Sequence, residues 1–403
     1  MLRITAALIL AFGCAYGAFH FAVERSFKNP YPGVCDFVAE KIYLSGKDVK
    51  NWKQVCHRRS RLVTPYSERE LILKDINNVL ALLKVSHLEI FDSSQVKNIW
   101  QGENKETGLS GEFIDSELVI FKVQPHSPAA DLGIKKGDII VSINGEQPSS
   151  WAVASESGDY QIHRGTEEFT VKIQAANLQR DESIQVSKVG SNSRLIEVPS
   201  FRADFFKDEK LKEVQKSLQG ASSVIVDLRG NAGGNFVSGL RFLSLFICEP
   251  TVVGKLEKPK LKKGARGELP DDLRDEKQLA VLENNRETLL KTFTKESCYR
   301  GSVRVLVDGK SSSVAEMVAQ ALKEFRKSPV RGSPSRGQLL VGVWYPMDEL
   351  GQGVQISIPE ALYTSAKGHC IEGQGVELDK VLYYSLSEMQ MGIDSWVKGS
   401  LEL

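Results

Sequence analysis

The sequence predicts a multidomain chain of the α/β and α+β classes, with an N-terminal helical segment, a small β-domain and an α/β core on a mixed sheet. Three observations predict this. Residues 67–84 carry apolar side chains at helical spacing. Residues 107–190 change to short strands with glycine turns. From Ser193 onward, apolar strands alternate with helices, the pattern of layered α/β structure. A length of 403 residues allows two to three domains and a core that needs neither disulfide nor metal. Hydrophobic residues at 41% and charged residues at 26% suit a soluble globular chain, and a net charge of +1 argues against a nucleic-acid partner.

The first residues concern destination. Met1-Leu2-Arg3 is a basic start, and Ile4–Gly13 is an apolar run too short to span a bilayer comfortably. Ala15-Tyr16-Gly17 supplies small residues at cleavage spacing, so residues 1–17 read as a secretory signal. Left uncleaved, the same run would attach the protein to a membrane, and Ala11-Phe12-Gly13-Cys14 loosely resembles a bacterial lipoprotein site. Either way the remainder is expected to be exported, periplasmic or associated with the cell envelope. Export permits disulfides. Cys35 with Cys56 and Cys248 with Cys298 would make local pairs, although spacing alone does not fix connectivity. No cysteine or histidine spacing suggests a metal, and no cofactor is implied.

Residues 30–104 read as mainly helical. Ser67-Glu68-Arg69-Glu70 is a capping box, followed by Ile72, Ile76, Val79, Leu80 and Leu83 on one face, ending near Lys84. Residues 105–190 hold the strands Leu118–Val123 and Asp138–Ile143, the turn Asn144-Gly145, and alternation at Phe169, Val171 and Ile173. Residues 191–390 form the core, with strands at Leu195–Val198, Ser223–Leu228 and Val303–Val307. Helices are expected over 207–219, 236–247 and from Val314 to Phe325. The charged stretch 250–297 reads as a surface insertion.

Two regions resemble known families. Gly108-Leu109-Ser110-Gly111-Glu112-Phe113 and the run Ser127-Pro128-Ala129-Ala130 through Gly137-Asp138-Ile139-Ile140 to Asn144-Gly145 resemble a bacterial PDZ domain. The resemblance implies binding of an extended peptide by strand addition, with its terminal carboxylate received by backbone amides at Leu109, Ser110 and Gly111. Unfolded or C-terminal protein and peptide segments are the expected partners.

Asp227-Leu228-Arg229-Gly230-Asn231-Ala232-Gly233-Gly234 ends an apolar strand in a glycine pair and closely resembles the signature of carboxyl-terminal processing peptidases. The resemblance implies that a Gly233 or Gly234 amide serves an oxyanion hole. Ser313 and Glu316 make a capping box at the start of a helix, a place whose unpaired amides favour developing negative charge. That suits a serine nucleophile, with the Val314 amide as the second oxyanion donor.

A serine needs a base. In the bacterial branch it is a lysine 25 residues beyond the serine, and here that position is Gln338, which cannot take the proton. The tricorn-type branch uses a Ser-His pair ahead of the PDZ domain and a late glutamate. Ser86-His87 and Glu372, in Cys370-Ile371-Glu372-Gly373, resemble those elements. The resemblance implies Ser313 as nucleophile and His87 as base, with Ser86 and Glu372 steadying the imidazolium. The expected function is an exported serine endopeptidase. The alternative is a non-catalytic member of the same fold that only binds peptides or ligands.

Overall fold

The computed structural model describes residues 27–401, apart from 45, 262–263 and 295–296. The expected signal and Cys14 lie outside the described residues. Among these residues no helix is long and apolar enough to cross a membrane. The described residues form two compact units, one of residues 27–93 with Val341–Ala361 and one of Ser94–Leu340 with residues 362–401.

In the first unit, the helices Tyr31–Lys41, Lys47–Ser60 and Arg69–Leu80 enclose a core that includes Tyr31, Val38, Trp52, Ile76 and Leu80. The Cys35–Cys56 disulfide and a bond from Trp52 Nε1 to the Val79 carbonyl (2.8 Å) lock them together. The anticipated capping box is not used. Glu68 occupies the cap position without a side-chain bond, and Ser67 Oγ accepts from the Thr64 amide in a local turn instead. The last helical turn tightens over Ala81–Leu83 and ends at Lys84 in the left-handed region. The strand Glu89–Phe91 then pairs antiparallel with Gln355–Ser357.

Among the described residues, the second unit contains two whole sheets, part of a third and a connecting ribbon. An antiparallel sheet orders Leu109–Ile114, Glu117–Val123, Ile139–Ile143, Gly158–Arg164 and Glu167–Ile173, so Leu109–Ile114 is an edge strand, with the helix Ser150–Ser155 packed against it. Its entry and exit strands, Glu103–Glu106 and Ala176–Gln179, zip together as a two-stranded ribbon. The core sheet orders Lys380–Val381, Val330–Gly332, Ser302–Val307, Ser223–Asp227, Ser193–Glu197 and Gln185–Val189. Its first five strands run parallel and the last antiparallel. Val224, Ile225 and Val226 are wholly buried, as a strand covered on both faces requires. The helices Phe236–Leu243 and Val314–Arg326 lie together.

The segment 250–297 departs from the surface insertion that its charge suggested. Val252–Glu257 pairs with both Asn285–Lys291 and residues 362–365, and Ala265–Glu268 adds a further strand. The Cys248–Cys298 disulfide closes its base. Cys370 remains an exposed free thiol.

Candidate active site

Two adjacent parallel strands end where ligands gather in open α/β sheets, beyond their carboxyl edges. Ser223–Asp227 runs into the glycine turn, and Ser302–Val307 runs into the serine loop. Several bonds lace the two together. Asp308 Oδ1 accepts from the Gly230 and Ser311 amides, and Ser311 Oγ donates to the Leu228 carbonyl (2.7 Å). The Ser312 amide donates to the Asn231 carbonyl (3.0 Å), and Ser312 Oγ to that of Ala232.

Ser313 stands at the start of the helix Val314–Arg326, 8% exposed, at φ 56° and ψ −125°. A non-glycine residue with positive φ holds that conformation only when its surroundings impose it. Those surroundings are explicit. The Ser313 amide donates to the Gln338 carbonyl (2.9 Å) and to Glu316 Oε2 (3.1 Å). Glu316 is fully buried, and its carboxylate also accepts from Ser335 Oγ, the Gly337 amide (both 2.7 Å) and the Gln338 amide (3.0 Å). Burial pushes its carboxyl above the ordinary glutamate range, against the pull of these four donors.

Gly233 lies against Ser313 at φ 98°. A β-carbon there would stand 2.7 Å from Ser313 Cβ and 3.0 Å from the Val314 nitrogen. The Gly233 amide is engaged within the turn by Asn231 Oδ1 (2.8 Å). Of the glycine pair named from sequence, Gly233 is the one whose amide has a bond within the turn among the described residues, and a β-carbon at Gly234 would stand 2.6 Å from the Phe201 carbonyl carbon. Glu372 is fixed in the same unit by the Leu339 amide, which donates to Oε2 (2.9 Å).

Ser86 and His87 belong to the first unit. Ser86 Oγ and His87 Nδ1 are 2.8 Å apart, and His87 has a φ of 58°. In the antiparallel domain, Leu109 is buried and its amide donates to Thr107 Oγ1 (3.1 Å), so this donor of the expected carboxylate loop is already engaged. Ser110 and Gly111 flank a bulge in the pairing with the next strand.

Residues 194–382 match the model of peptidase family S41, and residues 119–156 match that of the PDZ domain. A "Probable CtpA-like serine protease" of Staphylococcus aureus (strain COL) is 24% identical over 367 residues, covering 85% of this chain and 67% of that protein. The chain is a serine-type peptidase, with one region similar to family S41 and another similar to the PDZ domain. The solved structure of a "Putative S41 protease" from Bacteroides fragilis NCTC 9343 aligns with this chain at TM-score 0.58 and 15% identity, over 84% of this chain and 90% of that one. The photosystem II D1 C-terminal processing protease aligns at 0.53 and 15%, over 88% and 92%. At these identities the solved structures speak for the fold.

Sequence reasoning read Glu316 in this peptidase only as half of a capping box. Its other partners lie 19 to 22 residues further on, beyond any local pattern. It also passed over Arg229, whose guanidinium binds Asp227 and reaches Asp394, 165 residues away. A charged pair inside a recognised motif was the one available signal.

Proposed function

We propose that this peptidase is an endopeptidase acting on protein substrates whose ends are captured by the PDZ domain, with Ser313 as nucleophile and His87 as general base. The carrying observation is the buried Glu316 carboxylate, which holds the Ser313 amide and the 335–338 loop in one bonded unit. Gln338 accepts from Ser313 and Leu339 donates to Glu372, while a β-carbon on Gly342 would stand 3.1 Å from His87 Cβ.

Ser313 Oγ attacks the scissile carbonyl as His87 Nε2 takes its proton. The resulting oxyanion is received by the Val314 and Gly234 amides. The amine leaves with the proton from His87, and water repeats the sequence on the acyl-enzyme. Ser86 Oγ, against Nδ1, fixes the ring so that Nε2 is the working nitrogen. Glu372 steadies the imidazolium. Gln338 contributes its backbone and has no basic group to offer.

The open edge of Leu109–Ile114 beside the helix Ser150–Ser155 supports peptide addition, with the Ser110 and Gly111 amides taking the terminal carboxylate. Two disulfides fit an oxidising compartment, in keeping with export to the periplasm or cell envelope.

Cleavage of an unfolded model protein by the purified chain, read by mass spectrometry, tests this. Ser313→Ala and His87→Ala should each lower the rate by roughly 10⁴-fold or more. Cleavage kept in His87→Ala would leave Ser313 without its proposed base. An unmodified chain that cuts nothing would favour the non-catalytic reading.

A further inference from the structure

The C-terminal segment Leu382–Val397 lies between the PDZ domain and the peptidase motif, and it grips both. On the motif side, Arg229 Nη1 donates to Tyr384 Oη (2.9 Å) and Asp394 Oδ1 (3.1 Å), and Nη2 to Asp394 Oδ2 (3.0 Å). The remaining guanidinium face binds Asp227, the last residue of the strand that leads to Gly233 and Gly234. Arg229 and Asp394 are both largely buried, with side chains 13% and 14% exposed. Tyr384 stacks on Trp396, with ring centroids 4.5 Å apart, and Arg229 lies over the Trp396 ring.

On the PDZ side, Met389 is buried among Ile114, Val119 and Ile139, and Lys136 Nζ lies 3.5 Å from Asp394 Oδ2. Gly137 is pressed against the same segment, since a β-carbon would stand 2.5 Å from the Met389 carbonyl. Phe121 meets Tyr384 edge-on at 4.5 Å. Its place in the sheet is telling. The pairing of Leu109–Ile114 with the next strand steps from Ser110↔Lys122 to Gly111↔Ile120, so Phe121 is the extra residue of a bulge opposite the carboxylate loop. A bulge re-aims one side chain, here toward the C-terminal segment. The exposed pair Lys310–Glu112 also joins PDZ and core, but such pairs hold little.

We infer that Asp394 and Tyr384 are positioning residues for the reaction: they hold Arg229, and through Asp227 the oxyanion turn, in a register that the PDZ domain sets through Phe121 and Lys136. This rests on the reading of Ser313 and the Gly234 amide given above.

Phosphonylation of the full chain by a fluorophosphonate probe tests this without a known substrate. In that reaction the serine oxygen bonds to phosphorus, fluoride leaves, the proton goes to the base, and the phosphonyl oxygen occupies the oxyanion site. Asp394→Asn keeps Oδ1 for the Trp396 and Val397 amides that Asp394 caps, while removing the charge from Arg229 and Lys136. The maximal phosphonylation rate should fall by about 10- to 100-fold, part of the loss expected for removing one oxyanion donor, with half-saturation within about twofold. Tyr384→Phe, which keeps both ring contacts, should lower the same rate by less, and Asp394→Glu should recover part of the loss. A wild-type maximal rate in Asp394→Asn would overturn the inference, as would a loss that tracks melting temperature across the three variants. If Ser313→Ala still reacts, the reading of the site fails whatever Asp394 does. If Ser313→Ala is inert and Asp394→Asn is as fast as wild type, only the present inference fails.

Discussion

A methyl group at Gly233 would meet Ser313 Cβ and the Val314 nitrogen, at a φ of 98° that side chains rarely adopt. Gly233→Ala should therefore add about 1–3 kcal/mol of strain. It should also lower acylation at Ser313 by roughly 100-fold, since a shift of about 1 Å at a reacting centre has that effect. Melting temperature and probe labelling, measured together, separate the two. Glu316 makes the opposite kind of test. Its four partners are all donors, so Glu316→Gln forces an amide NH₂ against at least one of them. Ser335 Oγ could turn to accept, but the Gly337 amide could not. A destabilisation of about 1–3 kcal/mol in urea denaturation is expected, the range for one unsatisfied buried group. The helix start at Ser313 was legible in the sequence because a cap and its helix are local. The buried hub beneath it was not.

At the level of elements, the two disulfides close loops of different length. Cys248–Cys298 spans 50 residues and Cys35–Cys56 spans 21. On the chain-entropy account the first contributes about 4 kcal/mol and the second about 3 kcal/mol. Serine pairs at each bridge, compared by urea midpoint, should show the larger fall for Cys248–Cys298, and equal falls would count against loop length as the cause. Both pairings were among those proposed from local spacing. The strands inside the 248–298 loop were harder to read. Asn285–Lys291 buries Thr288 and Leu290 while leaving its ends partly exposed, and Val252–Glu257 needs residues 362–365 as a neighbour. A strand's stability lies in its partners, so a charged alternating segment looks like solvated surface until those partners are known.

Across the second unit as a whole, the Arg229 cluster links pH to stability. Burial works to raise the Asp394 carboxyl, but Arg229 outweighs it, helped by Lys136 and the Val397 amide, so the group is held below the ordinary aspartate range. A carboxyl lowered in the folded state adds stability that is present above its unfolded pKa and lost as pH falls through the folded value. Wild type should exceed Asp394→Asn in urea midpoint at pH 6, and the gap should close as the pH is taken below the ordinary aspartate range. A gap independent of pH would show that the charge is not what Asp394 contributes.

The sequence by itself determined the apolar strand into Asp227–Gly234, the Ser313–Glu316 helix start and the alternating strands of the PDZ region. Each is written in residues that touch within a turn or a strand, so spacing suffices to reveal it. Tertiary structure alone decided which glycine amide is engaged, what holds Glu316, where residues 250–297 pair and how Asp394 meets Arg229. Apart from the Asn231–Gly233 bond, which spans two residues, those contacts close loops of tens to hundreds of residues. Their selection rests on the packing of the whole chain, which no local pattern records.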